Sequence, residues 1–333
     1  HKEELAELIT KEGGKPLKEA LGEVDYARSY VDWYAEEAKR LYGRTIPANS
    51  ASKKIIVQSF PVGVVGAITP WNFPAAMITR KMAPALAAGC TIVCKPAVQT
   101  PLTTIRLVEL AHEAGIPKDA IQYVIISGKD AGRIFTESPI IQKITFTGST
   151  PVGKKLIEGA ASSVKNVTME LGGLAPVIVH KDANIDDAVD QTIATKFRNA
   201  GQTCICANRI YVHEDIVDTY VDKLIQKVHE LKVGNGLDKG VDVGPLINQD
   251  GVDKVVHQIK DAEAKGGQLS RSLDEIESLG GNFLKPVVIS NANQDMEIMH
   301  KETFGPVAPV MAYADLDDAI KMANDTEFGL AAY

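Results

Sequence analysis

The sequence has few cysteines, no long hydrophobic run and no surplus of basic residues, and each shortage excludes a class of protein. Four cysteines in 333 residues are too few for a disulfide scaffold, and their spacing is not that of a metal site. No apolar run approaches the roughly 18 residues that suggest a membrane span. Lys and Arg number 36 against 43 Asp and Glu, so a chain with net charge −7 is unsuited to coating nucleic acid or an anionic membrane.

What the chain does contain is typical of a folded protein. Hydrophobic residues make up 45% and charged residues 24%, which excludes a disordered segment, and 333 residues suffice for two domains. Cys90 and Cys94 flank a predicted strand and are interpreted as buried structural thiols. A reducing, cytoplasmic location fits this cysteine usage, and no signal peptide is evident. Because the chain begins with His1 and stops at Tyr333 inside an apparent element, we expect a longer protein from which both ends are missing.

Alternation of strands and helices predicts an α/β fold with a doubly wound, Rossmann-like parallel sheet. The first 42 residues have a helical pattern broken at Gly13-Gly14, and a polar, turn-rich stretch follows at 43–52. Regular alternation begins after Gly63. We expect Thr100 to cap a helix that starts at Pro101. A second α/β segment begins near residue 171, and its first helix is predicted to be capped by Asn184 and to run to about residue 199.

A possible phosphate-binding loop lies in this first segment, although the chain contains no Gly-x-Gly-x-x-Gly. A predicted strand delivers the chain to Gly148 and Ser149, and Thr150-Pro151 is predicted to cap and open the next helix. Free N–H groups and the positive end of the helix dipole would face an anion such as a dinucleotide pyrophosphate. Taken alone, a capped strand–turn–helix is more often a purely structural feature than a ligand site.

Five motifs in register carry a family resemblance. They are, in chain order, Thr69-Pro70-Trp71-Asn72-Phe73-Pro74, Phe146-Thr147-Gly148-Ser149-Thr150, Met169-Glu170-Leu171-Gly172-Gly173, Gly201-Gln202-Thr203-Cys204 and Glu302-Thr303-Phe304-Gly305-Pro306. Together they resemble the aldehyde dehydrogenase superfamily from end to end of the chain. The segments 77–81 and 197–206 are most similar to succinate-semialdehyde dehydrogenases, a resemblance that also implies a part in degradation of γ-aminobutyrate.

The resemblance implies a domain organisation. Residues 1–46 would be the N-terminal helical part of the cofactor domain, and 47–60 the strand of an oligomerisation arm. Residues 61–170 would form the NAD(P)-binding domain, and 171–333 an α/β catalytic domain incomplete at its C-terminus. The arm implies a homodimer or homotetramer, while a solvated edge strand is the alternative.

Three residues would carry the chemistry. Oxidation of an aldehyde requires a tetrahedral carbon before hydride can leave, and a thiolate forms one readily; the resemblance places this nucleophile at Cys204. The amide of Asn72 and the backbone N–H of Cys204 would stabilise the oxyanion. Glu170, whose neighbours indicate an apolar setting, would be the general base that activates water. The alternatives are a buried inert thiol, a turn-forming Asn and a buried structural ion pair.

The resemblance also implies how the cofactor is held. Lys95, at the end of a predicted strand, would reach the adenosine ribose, and Gly148 and Ser149 the pyrophosphate. Glu302 would bind the nicotinamide ribose and Phe304 would flank the ring. Otherwise Lys95 is a solvated strand end and Phe304 a core aromatic. The remaining cofactor contacts would come from the following residues: Trp71, Val98 and Leu171.

One residue departs from the pattern of NAD-preferring relatives. These usually carry Glu where this chain has Val98. A carboxylate there accepts hydrogen bonds from the ribose hydroxyls and repels a 2′-phosphate, whereas valine does neither. We therefore predict that NADP is preferred and that NAD is accepted.

Arg80 and Arg198 match positions that hold the substrate carboxylate in succinate-semialdehyde dehydrogenases. The planar guanidinium binds a carboxylate bidentately, so the predicted substrate is a small aldehyde that carries a carboxylate. Each arginine has an alternative as a surface or helix-end charge. The competing functions are oxidation of another aldehyde, a thiol esterase, or a catalytically silent binding relative, and the joint presence of Cys204, Glu170 and Asn72 argues against the last.

Cys206 lies two residues after Cys204, close to the outer limit of disulfide geometry. A bond between them would remove the nucleophile and give a reversible oxidative switch, while a bystander thiol is the alternative. The histidines show no spacing that suggests a metal site, and this chemistry requires no metal.

Overall fold

The computed structural model describes all 333 residues, and its contacts divide the chain into two compact units. The first consists of His1–Glu12 and Ala20–Leu171, and the second of Gly13–Glu19 and Gly172–Tyr333. No helix is both long enough and apolar enough to cross a membrane. The domain functions assigned above to 61–170 and 171–333 stay predictions.

The elements up to residue 171 alternate as the sequence predicts. In chain order they are α1 (Lys2–Gly13), α2 (Leu17–Glu37), β1 (Arg44–Ile46), β2 (Ile55–Val57), β3 (Val64–Ile68), α3 (Pro74–Ala87), β4 (Thr91–Lys95), α4 (Leu102–Glu113), β5 (Ile121–Tyr123), α5 (Gly128–Glu137), β6 (Ile141–Thr147), α6 (Thr150–Ala161) and β7 (Asn166–Glu170). A short 3-10 helix at Ala38–Arg40 ends α2.

The five strands β3 to β7 form one parallel sheet in the order β5-β4-β3-β6-β7. Numbered by their order in this sheet, the strands run 3-2-1-4-5, which is the doubly wound order. The direction in which successive strands are added reverses between β3 and β6. Residues of β3 alternate between two cores: Val65 and Ala67 pack with α3 and α4, and Ile68 packs with α5 and α6. Cys90 and Cys94 are buried in the first of these cores. The predicted fold class is confirmed.

The second unit is also α/β. Its elements are β8 (Ala175–Val179), α7 (Ile185–Lys196), β9 (Ala207–His213), α8 (Val217–Glu230), α9 (Gln249–Ala264), β10 (Gln268–Leu269), α10 (Leu273–Ile276), β11 (Val287–Ser290), β12 (Val307–Tyr313) and α11 (Leu316–Asn324), with 3-10 turns at Arg198–Gly201 and Glu297–Met299. The sheet order is β10-β11-β12-β9-β8, parallel except for the β10–β11 pair. The side chains of β9 are buried along its whole length, as expected of a central strand.

Several local expectations are wrong by a few residues. The 43–52 stretch contains β1, which pairs antiparallel with β2. Pro101, not Thr100, occupies the N-cap of α4, and α7 ends at Lys196, before a turn. Ser149 in extended conformation is the N-cap of α6, so Thr150 is its first helical residue and Pro151 its second. Proline is tolerated there because the first-turn N–H groups have no intrahelical partner. Asn184 caps α7 as predicted and accepts hydrogen bonds from the backbone N–H groups of Asp186 and Asp187.

Candidate active site and cofactor site

The carboxyl ends of three strands in the first unit carry predicted cofactor residues. Trp71 and Asn72 follow β3, Lys95 ends β4, and Gly148 and Ser149 follow β6. In doubly wound sheets, ligands bind outside the carboxyl ends of the strands, where the strand order reverses. The first unit therefore presents these residues at the edge where a dinucleotide would bind.

The loop between β6 and α6, the predicted phosphate site, leads directly into a helix N-terminus. The Ser149 side chain makes no capping hydrogen bond, so the first-turn N–H groups of the 12-residue α6 are not capped by it. The Gly148 N–H donates to the Glu170 carbonyl at 3.0 Å. A Cβ at Gly148 would lie 2.5 Å from the Phe146 ring, so only glycine fits the turn. The loop can offer N–H groups and a helix dipole to an anion.

Two buried threonines support a ligand at the same edge. Thr69 follows β3 and Thr147 ends the neighbouring β6, and both are at least 93% buried. Neither hydroxyl oxygen has a hydrogen-bond partner within the chain. Buried polar groups are normally paired, so these hydroxyls are positioned for a polar ligand or ordered water. A dinucleotide cofactor fits this edge of the sheet.

Lys95 and Val98 differ in their exposure. Lys95 is 4% exposed, and burial lowers the pKa of its ammonium group. Val98 is 55% exposed. An exposed valine can neither accept a hydrogen bond from the ribose hydroxyls nor repel a 2′-phosphate. The predicted preference for NADP rests on this property of Val98. Leu171 packs against α6, where a Cβ at Gly153 would lie 2.5 Å from its Cδ2 atom.

Asn72 lies two residues before α3 and is 6% exposed. The N-cap residue of α3, Phe73, has no side chain that could cap the helix. Instead the buried carboxylate of Glu23, on α2, accepts hydrogen bonds from the N–H groups of Ala75 at 2.8 Å and Ala76 at 3.3 Å. A distant carboxylate thus holds the helix start next to Asn72, a role that sequence inspection missed.

Glu170 is the last residue of β7 and is partly buried. Lys81 on α3 is an electrostatic neighbour that the sequence analysis also missed. Burial lowers the pKa of Lys81 to about 8, while the charge of Glu170 raises it, and the Nζ atom donates to Thr145 Oγ1 at 3.1 Å. A group whose pKa lies about one unit above neutral pH can give up and regain its proton readily, so Lys81 is suited to proton transfer.

Arg80, on the same helix, has no carboxylate partner. Its guanidinium donates to the hydroxyls of Tyr26 and Tyr30 on α2. The side chain is partly buried, and its predicted role in binding a carboxylate stays a prediction.

In the second unit, a strained turn carries the chain from α7 to Cys204. Asn199 and Ala200 have φ of 52° and 57°, and Gly201 follows at 74°. Consecutive left-handed residues that are not glycine are unfavourable and persist only where the surroundings impose them. The Asn199 N–H donates to Glu19 Oε2 at 2.8 Å, which holds this turn. Cys204 itself is partly exposed.

Gly172 and Gly173, which follow Glu170-Leu171, lack side chains and so let their own backbone lie close to the Cys204 loop and to Glu302. A Cβ at Gly173 would lie 2.3 Å from the Cys204 carbonyl oxygen, and one at Gly172 would lie 3.1 Å from Glu302 Oε2. The Gly173 N–H donates to Glu302 Oε1 at 3.2 Å. The motif therefore places the backbone of Cys204 and the carboxylate of Glu302 against one segment.

Glu302 and Phe304 lie together with a lysine that the sequence analysis missed. Burial raises the pKa of Glu302. The hydrogen bond from the Gly173 N–H and the charges of Lys254 and Lys196 oppose this shift without cancelling it. The Nζ atom of Lys254 lies 5.8 Å from the centre of the Phe304 ring. Phe304 is partly buried and has a left-handed φ of 53°, a strained backbone conformation for a residue other than glycine.

Cys206 is buried beneath the loop, and neither it nor Cys204 forms a disulfide. The Nζ atom of the fully buried Lys196 lies 3.4 Å from Cys206 Sγ, and the thiol donates to the Lys196 carbonyl at 3.3 Å. Burial raises the pKa of the Cys206 thiol. A disulfide with Cys204 would first require Cys206 to leave these contacts; the redox switch stays a prediction.

Arg198 is exposed and lines a cavity of about 310 Å³ together with Glu19 and Phe197. Burial raises the pKa of Glu19, and the nearby positive charge of Arg198 only partly offsets this shift. Arg198 therefore has an acidic neighbour, unlike Arg80.

Each unit gathers part of the predicted set. The first unit holds Trp71, Asn72, Arg80, Lys95, Val98, Gly148, Ser149, Glu170 and Leu171, and the second holds Arg198, Cys204, Cys206, Glu302 and Phe304. A dinucleotide-type strand order in one unit and a partly exposed cysteine on a strained loop in the other are typical of one class, the NAD(P)-dependent oxidoreductases.

The comparison with known families makes this specific. The profile of the aldehyde dehydrogenase family matches residues 1–333, and the chain belongs to that family. Members of this family use NAD(P) to oxidise aldehydes. The resemblance inferred from the five motifs is confirmed.

Several relatives are about half identical to the chain over its whole length. They include the NADP(+) succinate-semialdehyde dehydrogenase of Escherichia coli, 50% identical with 69% of that protein covered, and the mitochondrial succinate-semialdehyde dehydrogenase of Oryza sativa, 52% identical with 63% covered. A 3-sulfolactaldehyde dehydrogenase of Pseudomonas putida is 51% identical, with 68% covered. The structure of an NADP-dependent enzyme of E. coli superposes with a TM-score of 0.98 at 50% identity, covering all of this chain and 69% of that one. The chain thus spans about two-thirds of the length of these relatives.

Proposed function

We propose that the complete protein oxidises succinate semialdehyde to succinate and prefers NADP while accepting NAD. The observation that carries the substrate assignment is Arg80, whose charge is held by two phenols and by no carboxylate. The relatives named for succinate semialdehyde support the same assignment. The exposed Val98 supports NADP, since nothing at this position would repel a 2′-phosphate.

The proposed chemistry begins at Cys204. Its thiolate adds to the aldehyde carbon to give a thiohemiacetal, and the amide of Asn72 and the N–H of Cys204 stabilise the oxyanion. The nicotinamide cofactor, when bound, supplies the hydride acceptor. Lys95, Gly148, Ser149 and Glu302 would hold it. Gly148 and Ser149 fit this role because α6 starts there with an uncapped first turn.

The second half of the reaction hydrolyses the thioester on Cys204. Glu170 would take a proton from water, which attacks the acyl carbon and releases the acid and the thiolate. The charge of Glu170 acts on the ammonium group of Lys81 on α3, so a second titratable group lies in the same electrostatic environment. The chain therefore contains a nucleophile, an oxyanion donor and a general base for the overall reaction.

Absorbance at 340 nm tests the proposal with the complete protein that contains this chain. Succinate semialdehyde, glutarate semialdehyde, 3-sulfolactaldehyde and uncharged butanal would each be offered with NADP and with NAD. We expect the highest kcat/KM for succinate semialdehyde with NADP, and no turnover by Cys204→Ser. Equal kcat/KM for butanal would refute the carboxylate preference, and a higher value for either other acid would reassign the substrate.

We also propose that the protein forms a homodimer or homotetramer through residues 47–60 and acts in the cytoplasm. All residues of β1 and β2 are exposed in this chain, and Ile56 and Phe60 are 64% and 80% exposed. Apolar side chains exposed this far mark an interaction surface. Light scattering of the complete protein, compared with an Ile56→Asp, Phe60→Asp variant, would reveal dissociation, and an unchanged mass would refute the role of the arm.

A further inference from the structure

Arg80 is held by an unusual set of partners. Its Nε atom donates to Tyr30 Oη at 2.8 Å, and its Nη2 atom donates to Tyr30 Oη at 2.5 Å and to Tyr26 Oη at 2.6 Å. The two tyrosines are one turn apart on α2 and 50 to 54 residues before Arg80. The third guanidinium nitrogen, Nη1, makes no hydrogen bond within the chain.

The aromatic rings also contact the cation. The Cζ atom of Arg80 lies 5.2 Å from the centre of the Tyr30 ring and 6.0 Å from that of Tyr26. The rings themselves are 5.0 Å apart. Cation–π contacts at such distances are favourable, so the guanidinium is fixed by both the hydroxyls and the rings.

These partners orient Arg80 without neutralising it. A carboxylate partner would remove the net charge, whereas both phenols are neutral near neutral pH. Burial and the hydrogen bond with Tyr26 raise the pKa of Tyr30 further, so its hydroxyl stays protonated. A partly buried cation with no acidic partner has the strongest tendency to bind an external anion.

The direction of the hydrogen bonds leaves two donors unused. Tyr30 donates its proton to Tyr26 Oη at 2.5 Å, and Tyr26 Oη also accepts from Arg80 Nη2. The hydroxyl proton of Tyr26 is then not engaged, and Tyr26 is 38% exposed. One neutral O–H and one cationic N–H group remain, which match the two oxygens of a carboxylate.

We propose that Tyr26 and Tyr30 determine substrate specificity. Tyr30 positions the Arg80 guanidinium, and Tyr26 donates a hydrogen bond to the carboxylate that Arg80 binds. This inference rests on the proposed function, because it names the residues that would recognise the acid end of the substrate.

Removing single hydroxyls tests the assignment in the complete protein. Tyr26→Phe and Tyr30→Phe keep the rings and remove the oxygens. For succinate semialdehyde we expect each variant to lower kcat/KM by about 10- to 100-fold, mainly through KM, since a hydrogen bond to a charged group is lost. For butanal, which has no carboxylate, we expect changes below about twofold. The inhibition constant of succinate, measured as a competitive inhibitor, should rise in parallel.

Tyr34→Phe is the matched control, because Tyr34 lies one turn further along α2, is partly buried and makes no hydrogen bond. This variant should leave kcat/KM unchanged for both succinate semialdehyde and butanal. If Tyr26→Phe and Tyr30→Phe lower kcat/KM equally for both aldehydes, or for neither, the specificity role is refuted. A lower thermal unfolding temperature would not change that conclusion. Should Tyr30→Phe fail to fold, Tyr26→Phe decides alone.

The two proposals fail in distinguishable ways. A parent protein that does not prefer succinate semialdehyde to butanal refutes the proposed function and the tyrosine assignment together. A parent that prefers it, with tyrosine variants that preserve the preference, refutes only the assignment of Tyr26 and Tyr30.

Discussion

The carboxylate of Glu23 accepts the Ala75 N–H at 2.8 Å, so a residue of α2 caps the helix that starts just after Asn72. Only 1% of Glu23 is exposed, and its cap replaces the side-chain cap that Phe73 cannot provide. We expect Glu23→Ala to cost about 1–3 kcal/mol in unfolding free energy, since two N–H groups lose their acceptor. It should also lower kcat for charged and uncharged aldehydes alike, because Asn72 would lose its support.

Glu23→Gln supplies the comparison for that prediction. Both N–H groups donate to the same oxygen of Glu23, Oε1, so the amide oxygen of glutamine can still accept both hydrogen bonds, and kcat should largely recover. Glu36→Ala, on the same helix but exposed and paired with Lys39, is the control and should change neither quantity. The measurements are the unfolding free energy from denaturant titration and kcat for each variant. A loss of stability with kcat unchanged would show that Glu23 does not position Asn72.

Val98 is predicted to decide the choice of cofactor. Val98→Glu adds an acceptor for ribose hydroxyls and a charge that repels a 2′-phosphate, at a position that is already exposed. We expect the ratio of kcat/KM for NADP to that for NAD to fall by at least about tenfold, a difference of roughly 1.4 kcal/mol. Val98→Gln is the uncharged control and should shift the ratio less. An unchanged ratio in Val98→Glu would contradict this explanation.

Much of this fold could be predicted from the sequence because its signals are local. Strand–helix alternation, the Asn184 cap and the five motifs each lie within a few consecutive residues. Helix starts at Pro101 and Thr150 were misplaced by one residue, since Thr, Ser and Pro compete for the same first-turn positions.

The contacts that were missed join distant parts of the chain. Glu23 and Ala75 are 52 residues apart, and Tyr30 and Arg80 are 50 apart. A glutamate or tyrosine in an amphipathic helix has no sequence pattern that names such a partner. Lys81 was missed for the same reason, because its lowered pKa follows from burial that only the fold defines.

Lys81 should make stability depend on pH. Burial lowers its folded-state pKa to about 8 from the ordinary 10.5, so the unfolded chain binds more protons between these values. The unfolding free energy should therefore rise as pH increases from 8 to 10.5, by on the order of 2 kcal/mol from this group. Lys81→Met should remove that rise and be relatively more stable near pH 7.

The measurement is the difference in unfolding free energy between parent and variant at pH 7.5 and pH 9.5, which cancels the other titrating groups. Lys155→Met, an exposed lysine on α6, should show no such difference. Parallel pH profiles for the parent and Lys81→Met would mean that burial does not lower the pKa of Lys81 in the folded protein.

Cys206 provides a redox prediction. If it can bridge to Cys204, mild peroxide should abolish activity, a thiol reductant should restore it, and mass spectrometry should detect the Cys204–Cys206 linkage. Cys206→Ala should then lose the reductant-reversible part of the inhibition. Since Cys206 starts fully buried against Lys196, we expect formation to be slow. Absence of the linkage in the inactivated protein would exclude the switch.

The turn before Cys204 should tolerate no side chain at Gly201. This residue has φ of 74°, and a Cβ there would lie 2.2 Å from the Gly305 carbonyl oxygen. Gly201→Ala must therefore shift the backbone of the loop, and we expect kcat to fall by at least about 100-fold, because small displacements of a nucleophile are costly. Alkylation of Cys204 by iodoacetamide, followed by mass spectrometry, should also change in rate.

Gly115→Ala separates backbone strain from this clash. Gly115 has a similar left-handed φ of 97°, but an added Cβ would meet nothing within 4 Å. It should lose about 1 kcal/mol of stability from strain alone and keep full activity. If Gly201→Ala behaved like Gly115→Ala, with normal kcat and normal Cys204 alkylation, the close packing of residues 201 and 305 would not be what positions the nucleophile.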